Sequence, residues 1–554
     1  MFALKMLKRF KWVAVALVVA TFAVGQAAAV TCASLASLTL PDTTITAAQP
    51  IPAGTYVAPN GASYTAMPAF CRVAATLTPT SDSVIKMEVW MPDSGWNGRF
   101  EGVGGGGFAG TIVYGSLAPA VKLGYAVAST DTGSTSDGSF AFGHPQKIID
   151  FGYRGIHLMT VIGKQITAAF YGEHPRYSYF SGCSTGGRQA GMEAQRYPDD
   201  YDGIVQGDPA LYQTHHEVGA HLYITWQMFA STSGGVLEDT ASTVYTDQDT
   251  LLGNAVNAAC DAKDGVVDGV LNDPRECHYN PEGLLCTGAQ TPPNCLTAAQ
   301  VQTVKNIWRG PDWMVHQRGY YPAIERGGEA LGWPGWNSPV RGGTPTDTHA
   351  SLGLPFFLYF IFDNPTWDFQ TFNWNSDPAY VDNKVVVPGQ TMAQVLNATN
   401  PDLRRFRSKG GKLIHYHGFS DPDIPTQISI NYFDSVVNFN WGSLERTQDF
   451  YRLFLVPGMN HCSGGPGANV FDMLTPLVQW VENGIAPKSI LATHYVNNSA
   501  TQGVAFTRPL CPYPQEAVYT GSGSNTDAAN FVCKQSKAIE HDVYELFKLF
   551  EHDR

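Results

Sequence analysis

Hydrophobic and polar positions change period along the chain, and the changes mark out elements. Over residues 84–90 apolar Ile85, Met87 and Val89 alternate with Lys86 and Glu88, the period of two expected of a strand with one buried face. Residues 124–130 read as a buried strand. Ile156, Met159, Ile162, Ile166 and Phe170 recur at helical spacing and predict a helix over 154–170. A short strand over 177–180 runs into Gly182-Cys183-Ser184-Thr185-Gly186-Gly187, and a helix is predicted over 192–197. Strand character returns over 412–417 and 451–456. Strands alternating with helices predict an α/β fold with a mainly parallel sheet.

Between residues 212 and 400 the alternation weakens. This stretch holds most of the tryptophans, four cysteines and many Gly and Pro turns, and it reads as an insertion into one α/β domain. An amphipathic helix is predicted over 537–550.

The N-terminus changes the picture of the compartment. Lys5, Lys8, Arg9 and Lys11 precede an apolar run over 12–24 and the small-residue stretch Gln26-Ala27-Ala28-Ala29. This predicts a signal peptide over residues 1–29. The run falls short of the ~20 apolar residues that a spanning helix needs. The mature chain is therefore expected to be secreted or periplasmic, with no membrane partner. In an oxidising compartment ten cysteines predict five disulfides. The net charge of −13 argues against nucleic acid as a partner, because phosphate binding needs a basic patch. An apolar fraction of 44% with 12% aromatic residues excludes a disordered polymer.

Gly182-Cys183-Ser184-Thr185-Gly186 fits G-x-S-x-G, in which a strand turns sharply into a helix and presents the serine. A nucleophilic serine needs a base and a group to orient it. In the α/β-hydrolase chain order the acid comes next and the histidine last. Asp421 follows the strand over 412–417, with Asp423 its competitor. His461 lies in the loop after the strand over 451–456. Cys183 precedes Ser184 and Cys462 follows His461. If Ser184 and His461 meet, a Cys183–Cys462 disulfide would pin them; the alternative is that each cysteine pairs locally. The other eight form plausible local pairs: Cys32–Cys71, Cys260–Cys277, Cys286–Cys295 and Cys511–Cys533.

These motifs together resemble the tannase and feruloyl esterase family of α/β-hydrolases, which includes mono(2-hydroxyethyl) terephthalate hydrolase. The resemblance rests on Cys183-Ser184, Asp421 and His461-Cys462, with Trp96-Asn97-Gly98-Arg99-Phe100, Ser129-Thr130-Asp131-Thr132-Gly133 and Asp150-Phe151-Gly152-Tyr153-Arg154. It implies a catalytic domain formed by residues 30–210 and 401–554, and a lid domain over 211–400 between the Ser strand and the Asp strand. It implies a serine esterase acting on small aromatic esters, free or attached to a polysaccharide or polyphenol. The alternatives are hydrolysis of terephthalate monoesters and a non-catalytic secreted binding module.

An acyl-transfer site needs two N–H donors for its oxyanion. Thr185 is one candidate, and Gly105 or Gly106 supplies the other. The rival reading of this loop takes Gly102, Gly104 and Gly107 as a dinucleotide fingerprint with Asp131 as its acid. Export and the Ser/Asp/His set count against it, and no redox cofactor is expected. Within the lid, Asp261, Asp264 and Asp268 lie on a Gly-turned loop suited to Ca²⁺. The family resemblance implies structural calcium there, with the carbonyls of Val266 and Val270 as further ligands. His216 and His221 stand five apart, roughly 140° around an α-helix. They therefore read as lid-core or surface histidines, not as a zinc-protease motif. Arg309, Arg318, Arg326 and Arg341 are candidate partners for a substrate carboxylate, and Phe356 and Phe357 could stack on an aromatic acyl group.

Overall fold

The computed structural model describes residues 30–229, 237–440 and 442–536. The predicted signal peptide and the helix over 537–550 lie outside the described residues. Nine strands form the central sheet. They are β1 (Thr43–Ile51), β2 (Phe70–Leu77), β3 (Ile85–Pro92), β4 (Arg99–Val103), β5 (Ala126–Thr130), β6 (Tyr177–Cys183), β7 (Gly203–Gly207), β8 (Lys412–Gly418) and β9 (Tyr451–Val456). Their spatial order is β1-β2-β3-β5-β4-β6-β7-β8-β9. The first three strands add antiparallel, and β5 onward pairs in parallel. Parallel pairing gives these strands one direction, so the carboxyl ends of β6, β8 and β9 open on one side of the sheet.

Side chains alternate between two buried layers. Val89 and Trp90, Ala126 and Val127, and Leu413 and Ile414 each split between opposite faces. One face is covered by α2 (Gly155–Tyr171) through Ile156, Met159, Ile162 and Ile166, the stripe read from the sequence. The other is covered by α1 (Tyr114–Lys122) and α5 (Leu474–Asn483) through Leu117, Val121 and Leu477. Two further helices, α3 (Thr185–Arg196) and α4 (Gln427–Phe439), follow β6 and β8. Helix α3 begins seven residues before the expected 192, because Gly186 and Gly187 hide the helical period yet pack backbone on backbone. Strands β1, β2, β4 and β7 were not predicted from the sequence.

Between β7 and β8 the chain adds no strand to this sheet. Its apolar side chains form a third cluster, which also takes in Phe108, Phe140 and Phe151 from the loops beyond β4 and β5. Phe356 and Phe357 are buried in that cluster, so their work is packing. All five expected disulfides form: Cys32–Cys71, Cys183–Cys462, Cys260–Cys277, Cys286–Cys295 and Cys511–Cys533.

Candidate active site

Strand β6 ends at Cys183 and α3 starts at Thr185, so Ser184 makes the whole turn. Its backbone lies at φ 62°, ψ −125°, a strained conformation for a residue with a side chain. Ladder bonds hold it there: Ser184 N–H donates to Gly207 O (3.0 Å), and Arg188 N–H donates to Ser184 O (3.0 Å). The turn is tight enough that only glycine fits beside it. A Cβ on Gly182 would stand 2.4 Å from Gly186 O, and one on Gly187 2.2 Å from Gly207 O.

Asp421 follows β8 and is fully buried. One of its oxygens accepts from the amides of Asp423 (2.8 Å) and Ile424 (2.9 Å). The other accepts from His461 Nδ1–H at 2.7 Å. His461 sits in the loop after β9, and that loop is tied to the Asp421 loop by Ser420 N–H donating to Met459 O (3.0 Å). Behind Asp421, His417 Nε2–H donates to Ile424 O (2.9 Å) and lies 3.3 Å from Asp421 Oδ2. Asp423 touches the other side of His461, with Oδ2 3.7 Å from Nε2. Asp421, not Asp423, therefore holds the Nδ1 side of the ring.

The Cys183–Cys462 bridge, with Cα atoms 6.0 Å apart, ties the residue before Ser184 to the residue after His461. Ser184, Thr185 and Asp423 line one cleft of about 340 Å³. Its apolar wall includes Phe108, Phe151, Ala210, Leu352 and Ile424. Trp336 stands edge-on to the His461 ring, with centroids 5.2 Å apart.

Burial pulls the His461 imidazole down, but the Asp421 carboxylate outweighs it and leaves the ring above its ordinary 6.5. Burial likewise pushes Asp421 up, and His461 and His417 outweigh it, holding the carboxyl below its ordinary 3.8. An imidazolium and a carboxylate favour each other across the 2.7 Å bond, which is the charge arrangement a proton-accepting histidine passes through.

Thr185 is the first residue of α3, where helix amides have no intrahelical partner and favour negative charge. Its side chain donates to Gly107 O at 2.6 Å, tying the glycine loop to the turn. The Gly105 amide already donates to Gln189 Oε1 (3.1 Å). Gly106 is exposed beside it. The same loop packs against the turn, since a Cβ on Gly104 would meet Gly186 Cα at 2.7 Å. Asp131 accepts from the amides of Lys86 and Gly133, both at 2.8 Å, as a turn former and not as the acid of a dinucleotide site.

The lid adds residues that sequence reasoning set aside. His216 and His221 line the cleft with Ser184. Residues Glu217–Leu222 wind as a π-helix, whose i→i+5 bonding brings residues five apart onto one face. Their ring centroids are accordingly 4.2 Å apart. The period of 3.6 assumed from the sequence put them on different faces, and no signal in the sequence marks the wider turn. None of Arg309, Arg318, Arg326 and Arg341 lines the cleft. Arg341 pairs with Asp247 at 2.8 Å, and Arg326 lies over Trp308.

In the acidic loop of the lid, Asp264, Val266, Asp268 and Val270 border one cavity. Asp261 accepts from the amides of Asp268 (3.2 Å) and Gly269 (3.0 Å), and Asp264 from that of Val266 (2.9 Å). Burial, with repulsion from Asp268 and Asp261, pushes the Asp264 carboxyl up to about 6. Arg508 pairs with Asp268 Oδ2 at 2.5 Å. Three mutually repelling carboxylates on one loop, with one arginine among them, fit a bound cation.

Known proteins resemble the chain over most of its length. The family described as tannase and feruloyl esterase matches residues 71–534. An uncharacterized esterase of Xanthomonas campestris pv. campestris is 41% identical over 92% of each chain. A probable feruloyl esterase B-1 of Aspergillus flavus is 33% identical over 84% of this chain and 86% of its own. Among solved structures, feruloyl esterase B from Aspergillus oryzae superposes with a TM-score of 0.79 at 29% identity, covering 91% of this chain and 99% of its own. Tannin acyl hydrolase from Aspergillus niger shares the fold, with a TM-score of 0.69 at 23% identity over 90% of this chain and 93% of its own.

Proposed function

The chain belongs to the tannase and feruloyl esterase family and is a carboxylic ester hydrolase, and we propose that it cleaves esters of aromatic acids through Ser184, His461 and Asp421. Ser184 Oγ attacks the ester carbonyl while His461 Nε2 takes its proton, and Asp421 steadies the imidazolium through Nδ1. The amides of Thr185 and Gly106 receive the oxyanion. Gly106 is preferred because Gly105 N–H is engaged by Gln189. The tetrahedral intermediate collapses as His461 hands its proton to the leaving alcohol. Water, deprotonated by His461, then releases the acid from the acyl-enzyme.

The observation that carries this reading is the 2.7 Å bond from His461 Nδ1 to Asp421, on a histidine loop that Cys183–Cys462 ties to the Ser184 turn. The apolar wall of Phe108, Phe151 and Leu352 suits an aromatic acyl group. Residues 211–400 act as the lid over it. Ser184→Ala, assayed on methyl ferulate, methyl gallate and a terephthalate monoester, should lose turnover of all three while still binding them. Retained turnover overturns the assignment, and the panel itself ranks the acyl groups.

Five disulfides, together with the signal peptide predicted from the sequence over residues 1–29, support export to an oxidising compartment. Among the described residues no helix is long and apolar enough to cross a membrane. In the lid, Asp261, Asp264 and Asp268 with the carbonyls of Val266 and Val270 would hold Ca²⁺, which supplies charge neutralisation and no chemistry at Ser184. Removal of calcium should lower the melting temperature more than it lowers activity measured well below it. An unchanged melting temperature would count against the ion.

A further inference from the structure

A second carboxylate stands on the Nε2 side of the proposed base, and the ester mechanism gives it no role. Asp423 lies in the loop after β8 and is 2% exposed. Its Oδ2 is 3.7 Å from His461 Nε2, the nitrogen that must carry a proton from Ser184 to the leaving alcohol. A carboxylate free to close that gap would accept the proton in a charge-assisted hydrogen bond and keep it from the alcohol.

Three buried lid histidines surround Asp423, and one of them bonds to it: His221 Nε2 is 2.9 Å from Asp423 Oδ1. On the other side of that ring, His221 Nδ1 meets Glu217 Oε2 at 2.8 Å, while Glu217 Oε1 accepts from Gln213 Nε2–H at 2.6 Å. Two carboxylates that only accept thus flank one ring, and an imidazolium satisfies both. Burial pulls the His221 ring down, but Glu217 and Asp423 outweigh it and push it up to about 10. The other two rings stay neutral. His349 Nε2–H donates to Pro422 O (3.1 Å), which leaves a lone pair on Nδ1, 3.8 Å from Asp423 Oδ1. Burial and the His221 charge pull His349 down to about 4. His216 Nε2 lies 3.6 Å from the same oxygen, and burial and the His221 charge hold this ring well below 6.5. Asp208, Asp347 and Tyr321 also face these groups, but they bond elsewhere: to Gly418 N–H (2.7 Å), Ala350 N–H (2.8 Å) and His216 Nδ1 (3.0 Å).

We propose that His221 is a positioning residue for the esterase reaction, holding Asp423 near enough to favour positive charge on His461 and too far away to take its proton. The proposal rests on Ser184, His461 and Asp421 as the reacting groups. With Oδ1 bound to His221 and the Asp423 amide donating to Asp421 Oδ1 (2.8 Å), Oδ2 stays beyond hydrogen-bond distance of Nε2. The proton that His461 takes from Ser184 then has the leaving alcohol as its acceptor. The charge on His221 also offsets part of that on Asp423, so His461 becomes neutral at a lower pH than it would beside Asp423 alone. A lid residue thereby acts on the base through a carboxylate that belongs to the sheet side of the cleft.

The test is a set of pH–rate profiles on whichever ester of the three-ester panel the parent turns over fastest. The variants are His221→Gln, Asp423→Asn and the two together, each with its melting temperature. In Asp423→Asn the rising limb of kcat/KM should move to lower pH by about one unit. In His221→Gln it should move the other way, to higher pH, with kcat lowered. The double variant should share the limb of Asp423→Asn, because His221 acts through Asp423. A lower melting temperature with the limb unmoved in either single variant makes the cluster a packing feature and overturns the proposal. A double variant in which His221→Gln still moves the limb by its full amount overturns it too. Asp423→Asn is isosteric, so its limb decides the matter even if His221→Gln does not fold. Loss of turnover in Ser184→Ala beside unmoved limbs refutes this proposal alone, whereas retained turnover there refutes the reading it rests on as well.

Discussion

The sheet and the lid are held together by different means, and the active site lies where they meet. In the sheet, parallel ladders run unbroken from β5 to β9, and alternate side chains feed two apolar layers. The lid contributes no strand to that sheet and is built from the helices Thr246–Cys260 and Ala298–Arg309, short 3₁₀ and π turns, the local bridges Cys260–Cys277 and Cys286–Cys295, and clustered aromatic rings. Ser184, Asp421 and His461 all follow sheet strands. His216, His221, His349 and Trp336 all come from the lid. Asp421 and Asp423, two residues apart, mark the boundary: the first orients His461 at 2.7 Å, and the second faces the lid histidines. The difference teaches that the proposed reacting groups sit at the ends of sheet strands, while the cleft walls are set by a layer with its own fastenings.

Exchanging those two carboxylates breaks the comparison most sharply. Asp421→Asn should lower kcat by about 10⁴-fold, because the amide holds the wrong tautomer of the base. Asp423→Asn should cost kcat far less and act chiefly on melting temperature. Equal losses in kcat would dissolve the division of labour. Next in size is the bridge between the two loops. Replacing Cys183 and Cys462 by serine frees a closure spanning 279 residues and should cost about 2–5 kcal/mol in denaturant unfolding. Loss of Cys286–Cys295, spanning 9 residues, should cost less. The reverse order would make the lid, and not the Ser184 turn, the part that depends on its fastening.

The smallest effect is on the pH profile. In the proposed mechanism His461 must be neutral to accept the Ser184 proton, and its pKa is raised above the ordinary 6.5. Activity is therefore lost as pH falls through the raised value, and the rising limb of kcat/KM should lie above pH 6.5. Asp421→Asn removes the main cause of the shift and should move the residual limb to lower pH. A limb that stays in place would detach the shift from the sheet-borne pair.

Legibility follows the same divide. The stripe of Ile156, Met159, Ile162 and Ile166 and the run Tyr451–Val456 were readable because regular elements impose one period on side-chain burial. The histidines at 216 and 221 were misplaced because a π-helix changes that period without a residue type to announce it. Trp336 could be named only as one of several lid tryptophans, since a turn has no period from which to infer its neighbour, His461.

By itself the sequence determined the α/β class, the G-x-S-x-G turn and the expectation of five disulfides, while the structure settled their partners. It also determined the chain order of serine, acid and histidine. These are local in chain position or follow from the even cysteine count. Only the tertiary structure decided that Asp421 takes Nδ1 of His461 while Asp423 stands by Nε2. It alone showed that Gly105 N–H is engaged by Gln189, and that three lid histidines face Asp423. The reason is physical: which of two neighbouring carboxylates meets a ring depends on the loop's hydrogen bonds and on what packs across it, and those partners lie up to 200 residues away along the chain.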